Sequence, residues 1–233
     1  MHLPSSKASS PSAGGSSSKL RAAQVYRGTA RIAPNKSALL RLFTDAGYAA
    51  RVVRYALGLP VPMNTEDRRV LEQVIFPYFL RLPDTHRILF VGCDWYTKHY
   101  QSMFFRDRDY WTIDVAAERR KFGARQHIVD GLQNLDQHFA PGFFDLIFCN
   151  GVYGFGLDAA ADIERSVEMC WSRLRQNGSF VFGWNDIPER VPVPLNEIAA
   201  LRQFQRLEFP DFKSWRCVTD TPYRHTYDFY SKG

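Results

Sequence analysis

Six short apolar or β-branched runs, spaced along the chain after residue 86, constrain this sequence more than any other feature. They cover 87–94, 110–114, 127–130, 144–150, 177–183 and 225–230, and helix-compatible stretches lie between most of them. Strands alternating with helices predict an α/β, doubly wound, mostly parallel sheet, with helices on both faces. The first four runs end in a small or acidic residue, where a strand hands over to a loop. Ligands of open α/β sheets bind just outside those carboxyl ends.

Several local signals fill in the rest. Leu39, Leu40, Phe43, Ala46, Ala50, Val53 and Leu57 follow helical spacing over 37–57, ended by Gly58 and Pro60. A second helix is expected from Thr65, bent or shortened at Pro77 and stopped by Pro83. These two helices either cover the sheet or form a lid, and covering is the simpler reading. The clearest helix spans 159–174, with Asp158 as its cap and Asn177-Gly178 at its exit. After a helix around 195–204, aromatic strands over 206–218 and 225–231 are expected to pair as an antiparallel hairpin.

The chain has 233 residues and a net charge of +6, unevenly placed. Residues 1–80 carry +7 and residues 81–233 carry −1, so the folded part is near neutral. That argues against a nucleic-acid partner. No apolar run reaches 18 residues, which argues against a membrane span. Cys93, Cys149, Cys170 and Cys217 show no paired spacing and no His/Cys cluster forms, so free thiols and no metal site are expected. The division expected is a Ser/Gly-rich basic tail over 1–36, a helical extension over 37–84 and a Rossmann-like domain over 85–233. The tail lacks an apolar signal core. Cytoplasmic residence is the expectation, with an organelle transit peptide left open.

Chemistry concentrates at the strand ends. Gly92 opens a turn where backbone can approach a ligand closely. Asp114 ends the second run and can accept hydrogen bonds from both hydroxyls of a ribose, while Asp130 ends the third and can accept from an adenine amine. Asn150 and the glycine-rich 151–156 loop follow the fourth run, where Tyr153 offers a hydroxyl. His99 is the best-placed titratable base, although an exposed helix position is the plainer reading. Trp184 and Asn185 follow the fifth run and are candidate acceptor contacts.

In order and spacing, residues 86–231 resemble a class I S-adenosylmethionine-dependent methyltransferase. Val91-Gly92-Cys93 is similar to the core of that family's first motif, Phe144–Asn150 to its fourth-strand motif, and 174–178 to the turn before its fifth strand. The closing hairpin resembles its antiparallel seventh strand, which implies seven strands in all. The resemblance implies S-adenosyl-L-methionine as cofactor, held by Gly92, Cys93, Asp94, Asp114, Val115, Asp130, Gly131 and Asn150. It also implies methyl transfer to the oxygen or nitrogen of a small-molecule acceptor, with His99 and Tyr153 as candidate catalytic groups and Tyr153, Trp184 and Asn185 as acceptor contacts. The first motif departs from the pattern: Phe90 replaces the usual acid, and Asp94 and Tyr96 replace the later glycines. Asp94 is therefore the candidate to face the cofactor's ammonium group. Two alternatives stay open, a catalytically silent binding module and a nicotinamide-dependent oxidoreductase. Oligomeric state is not legible.

Overall fold

The computed structural model describes residues 46–57, 59, 61 and 63–233. The tail expected over 1–36, residues 37–45 of the helix expected over 37–57, and the Gly58 and Pro60 stop signals lie outside them. All described residues belong to the second of two units into which the chain divides, Pro34–Gly233.

Five parallel strands form the body of the sheet: β1 (Arg87–Val91), β2 (Asp109–Asp114), β3 (Gln126–Val129), β4 (Phe144–Asn150) and β5 (Leu174–Asn185). Three more are β6 (Gln205–Arg206), β7 (Arg216–Val218) and β8 (His225–Ser231). The order is β3-β2-β1-β4-β5-β8-β6, with β7 also pairing β8. β8 runs antiparallel to β5, and β6 and β7 share its outer edge. The sheet is thus seven positions wide, its last position divided between two short strands. The turn after β7 makes the expected hairpin. The expected 206–218 strand is interrupted because residues 207–214 fold into a turn closed by the Phe209–Ser214 bridge.

β1 is buried from Ile88 to Val91 because both of its faces are covered. On one face Leu89, Ile147, Phe180 and Phe182 pack under the helix α4 (Ala160–Arg173). On the other face Ile88, Phe90, Phe148 and Phe229 pack under a helix that occupies 66–81. Among the described residues two helices precede the sheet, α1 (Ala46–Ala56) and this second one, α2, and a one-turn helix α3 (Tyr100–Met103) follows β1. Phe76 of α2 meets the rings of Phe148, Phe105 and Tyr100 at 5.1, 4.9 and 5.2 Å, so α2 covers the sheet through an aromatic core.

Pro77 does not break α2. The segment Leu71–Ile75 widens into a π turn, with Phe76 N–H donating to Leu71 O, and the helix resumes over Phe76–Arg81. A proline nitrogen cannot donate, and the wider turn accommodates the ring at the start of the following segment. Asp158 is likewise not the α4 cap. The cap position is Ala159, without a side-chain bond, and Asp158 turns back to accept from Gly156 N–H at 3.2 Å. β5 begins at Leu174, directly after α4, and Asn177 (φ +61°) lies where the β4–β5 register slips. The 195–204 stretch forms two tight turns, Leu195–Glu197 and Ala199–Gln203, in place of one helix.

Candidate cofactor and acceptor site

Strand order reverses between β1 and β4, which opens a crevice at their carboxyl ends. Gly92 sits there with φ +84°, donating its N–H to Ile113 O at 3.0 Å. A Cβ at this position would lie 2.8 Å from Val152 Cγ1 and 2.9 Å from Asn150 O. Glycine therefore permits both the turn and the close approach of β1 to β4. Asp114, at the neighbouring end of β2, is buried. Its Oδ2 accepts from Cys93 N–H at 2.8 Å and its Oδ1 from Ala116 N–H at 2.9 Å. Two backbone donors lock the carboxylate in place and leave a lone pair on each oxygen for a ligand.

Asp130 follows β3, one residue beyond Val129, the register partner of Asp114. Its carboxylate already receives Gly131 N–H at 2.7 Å and Asn134 Nδ2 at 2.8 Å, with His138 Nε2 at 2.8 Å. Burial would raise its pKa, but the bonds from Asn134, His138 and Gly131 outweigh it and the pKa falls. Three donors leave room for one more. Beside these acids, Val115 and Val129 are 59% and 41% exposed, an apolar ledge at two adjacent strand ends. The Gln133 side chain folds over Gly131, into the space a Cβ would fill.

Asp94 does not present a free charge. It caps the short turn Trp95–Thr97, accepting from Trp95 N–H at 2.7 Å, and its other oxygen lies 3.3 Å from Arg119 Nη1. The same Arg119 nitrogen donates to Cys93 O at 2.7 Å. The expectation that Asp94 faces an ammonium group is corrected by this pairing: its charge is balanced locally. What stands over the turn is a guanidinium.

On the other side of the crevice is a polar chain that sequence reasoning missed. His225, at the start of β8, has Nε2 2.9 Å from Asn150 Oδ1 and Nδ1 2.6 Å from Asn185 Oδ1. Burial, helped by the positive charge of Arg68 and opposed by Asp67, brings its pKa down to about 4, so the ring is neutral at pH 7. A neutral ring has one N–H and one lone pair, so one of the two amides must turn its NH2 toward it. Asn150 is that amide, since its buried Nδ2 otherwise has no partner among the described residues. Gly183 makes the chain possible: a Cβ there would collide with Asn150 Oδ1 and stand 3.2 Å from His225 Nε2.

The first turn of α2 closes this side. Tyr227 OH donates to Asp67 O at 2.9 Å, and the His225 and Tyr227 rings pack 4.8 Å apart. Arg68 is buried, with its guanidinium 4.2 Å over the Tyr96 ring, its Nη1 donating to Tyr100 OH at 3.3 Å and its Nε 3.6 Å from Asp67 Oδ2. The first turn of α2 thus delivers one cation inward. Two asparagines ending adjacent strands were the available signal for a shared partner between them.

Three expected contacts change character. Tyr153, expected as a catalytic or acceptor group, is fully buried, donates its hydroxyl to Val193 O and packs 5.3 Å from Phe182 in the core. Trp184 points to the opposite sheet face and donates Nε1–H to Asp228 Oδ2 at 3.1 Å, because side chains alternate along β5 and only Gly183 and Asn185 face the crevice side. His99 is 5% exposed, not an open helix position. It packs 5.2 Å from Tyr100, has no hydrogen-bond partner at Nδ1 among the described residues, and burial with nearby Arg54 lowers its pKa. All four cysteines are free thiols. Among the described residues no helix is long and apolar enough to cross a membrane, and none gathers three or more His, Cys, Asp or Glu as a metal set.

No protein-family description matches the chain, and no curated protein matches it in sequence. Solved structures do. The N-methyltransferase NodS from Bradyrhizobium japonicum WM9 superposes with a TM-score of 0.53 at 15% identity, over 71% of this chain and 98% of that one. A TehB-like SAM-dependent methyltransferase from Corynebacterium glutamicum gives 0.51 at 18%, over 81% and 97%. The fold is that of class I S-adenosylmethionine-dependent methyltransferases.

Proposed function

We propose that this chain is an S-adenosylmethionine-dependent methyltransferase acting on a small organic acceptor through oxygen or nitrogen. The carrying observation is the Asp114 carboxylate, fixed by two backbone donors beside the Gly92 turn where strand order reverses. The cofactor supplies a methyl group already activated on a sulfonium. The chain's task is therefore to orient the partners and exclude water. Asp114 would accept the ribose hydroxyls, Val115 and Val129 would flank the adenine, and the vacant acceptor position of Asp130 would take its amine. Arg119 replaces the missing acid with the opposite strategy, pairing with the carboxylate at the amino-acid end. Gly92 and Cys93 present backbone there, and the Gly131 N–H holds the Asp130 carboxylate beside the base.

Arg68, Asn185 and the Asn150–His225 pair form the acceptor side. His99, held neutral by burial and unpartnered at Nδ1, is the group able to take a proton from an acceptor hydroxyl. Calorimetric titration tests the reading. S-adenosylhomocysteine should bind saturably and NAD should not; failure of both S-adenosylmethionine and S-adenosylhomocysteine to bind would overturn it. One observation favours a second reading, a silent binding module: Asp94 is engaged by Arg119, leaving the ammonium end without a free acid. Binding of S-adenosylhomocysteine with no methyl released from labelled cofactor across diverse acceptors would select it.

A further inference from the structure

We propose a second ligand site, specific for planar aromatic carboxylates, in a cavity on the sheet face opposite the Asn150–His225 pair. The cavity has a volume of about 780 Å³ and opens between the end of β5, β8 and the turns that follow Pro194. That size suits a small organic ligand. Its walls carry Trp184, Trp215 and Tyr230 together with Arg202, Arg206 and Arg216.

The three arginines differ in how their charge is balanced. Arg216 forms a forked pair with fully buried Asp228, at 2.5 and 2.7 Å, and Asp228 also accepts from Trp184. That arginine is fixed and largely neutralised. Asp186, the acid on the wall, lies 3.3 Å from Arg224. Arg202 and Arg206 have no carboxylate within 4.0 Å among the described residues. Neither is therefore held in an ion pair at the rim, and Asp228 acts on Arg206 only at longer range.

The aromatic half of the site is ordered by the same groups. Arg206 and Arg216 lie 4.1 and 4.5 Å from the Trp215 ring centroid, and Trp215 packs 6.2 Å from Tyr230. Stacking holds the guanidinium planes while leaving edge N–H groups for a ligand. A planar guanidinium matches a carboxylate two bonds at a time, and the ring edges, with Val191, Leu195 and Ile198 on the wall, give a flat ring apolar surface to pack against. A carboxylate on an aromatic ring meets both demands.

The probe is 2-naphthoate, read by tryptophan fluorescence in the full chain with S-adenosylhomocysteine at saturation. Saturable quenching is expected, with 2-naphthamide binding roughly tenfold more weakly or worse, because charge-assisted bonds carry the recognition. The Arg202→Ala/Arg206→Ala double variant should weaken naphthoate by a similar factor. Both side chains are exposed, so its melting midpoint should stay near that of the parent. Four results would overturn the site: no saturation at millimolar naphthoate, equal binding of the amide, equal binding by the double variant, or full displacement by S-adenosylhomocysteine.

Discussion

Asn150 and His225, 75 residues apart in the chain, meet at 2.9 Å directly above Gly183, the residue whose missing side chain leaves room for both. The contact links the ends of β4 and β8 across β5 and sets the boundary between the crevice and the α2 side of the sheet. Gly183→Ala should force the Asn150 amide off the His225 ring. Overpacking of this kind costs about 1–3 kcal/mol. Urea denaturation should show that loss.

Asp114→Asn keeps the shape and removes the charge. Charge-assisted bonds to a carboxylate contribute about 1.5–3 kcal/mol. Cofactor affinity should therefore fall roughly tenfold or more. A titration with S-adenosylhomocysteine checks it, and an unchanged affinity would remove Asp114 from the site.

Asp94 and Arg119 should behave oppositely. Asn caps a helical turn as well as Asp. Asp94→Asn should therefore leave cofactor affinity within a few-fold of the parent. Arg119→Gln should weaken it by about tenfold, since a paired cation is lost. Measuring both by the same titration separates a cofactor role from a loop-holding one.

The pH dependence of stability follows from His225. Its folded pKa, about 4, lies below the ordinary histidine value near 6.5, so the unfolded chain binds more protons between these limits. Stability is full above about pH 6.5 and falls as pH drops toward 4, with a slope of up to about 1.4 kcal/mol per pH unit. Burial lowers His99 and His127 in the same direction. Melting midpoints at pH 7 and pH 5 should differ less in His225→Gln than in the parent.

Tyr153→Phe removes a hydroxyl already donated to Val193 O. Turnover should be unchanged. Stability should fall by about 1 kcal/mol, the contribution of an ordinary hydrogen bond plus the cost of the abandoned acceptor.

The strand ends were legible because they are local facts. A buried parallel strand is a short apolar run, and the residue that ends it marks the crevice; hence Gly92, Asp114 and Asn150 are legible in the sequence. The sequence by itself determined the alternation of strands and helices and the glycine turn. Tertiary structure decided everything that depends on which strands become neighbours. Only insertion of β8 beside β5 brings His225 to Asn150 and Asn185, and only the alternation along β5 turns Trp184 away from the crevice. Only the packed core sends Tyr153 to Val193 and turns Arg119 against Asp94. The physical reason is range: backbone preference and hydrophobic period act over a few residues, whereas the partner of a buried polar group is chosen by whatever else is excluded from water beside it.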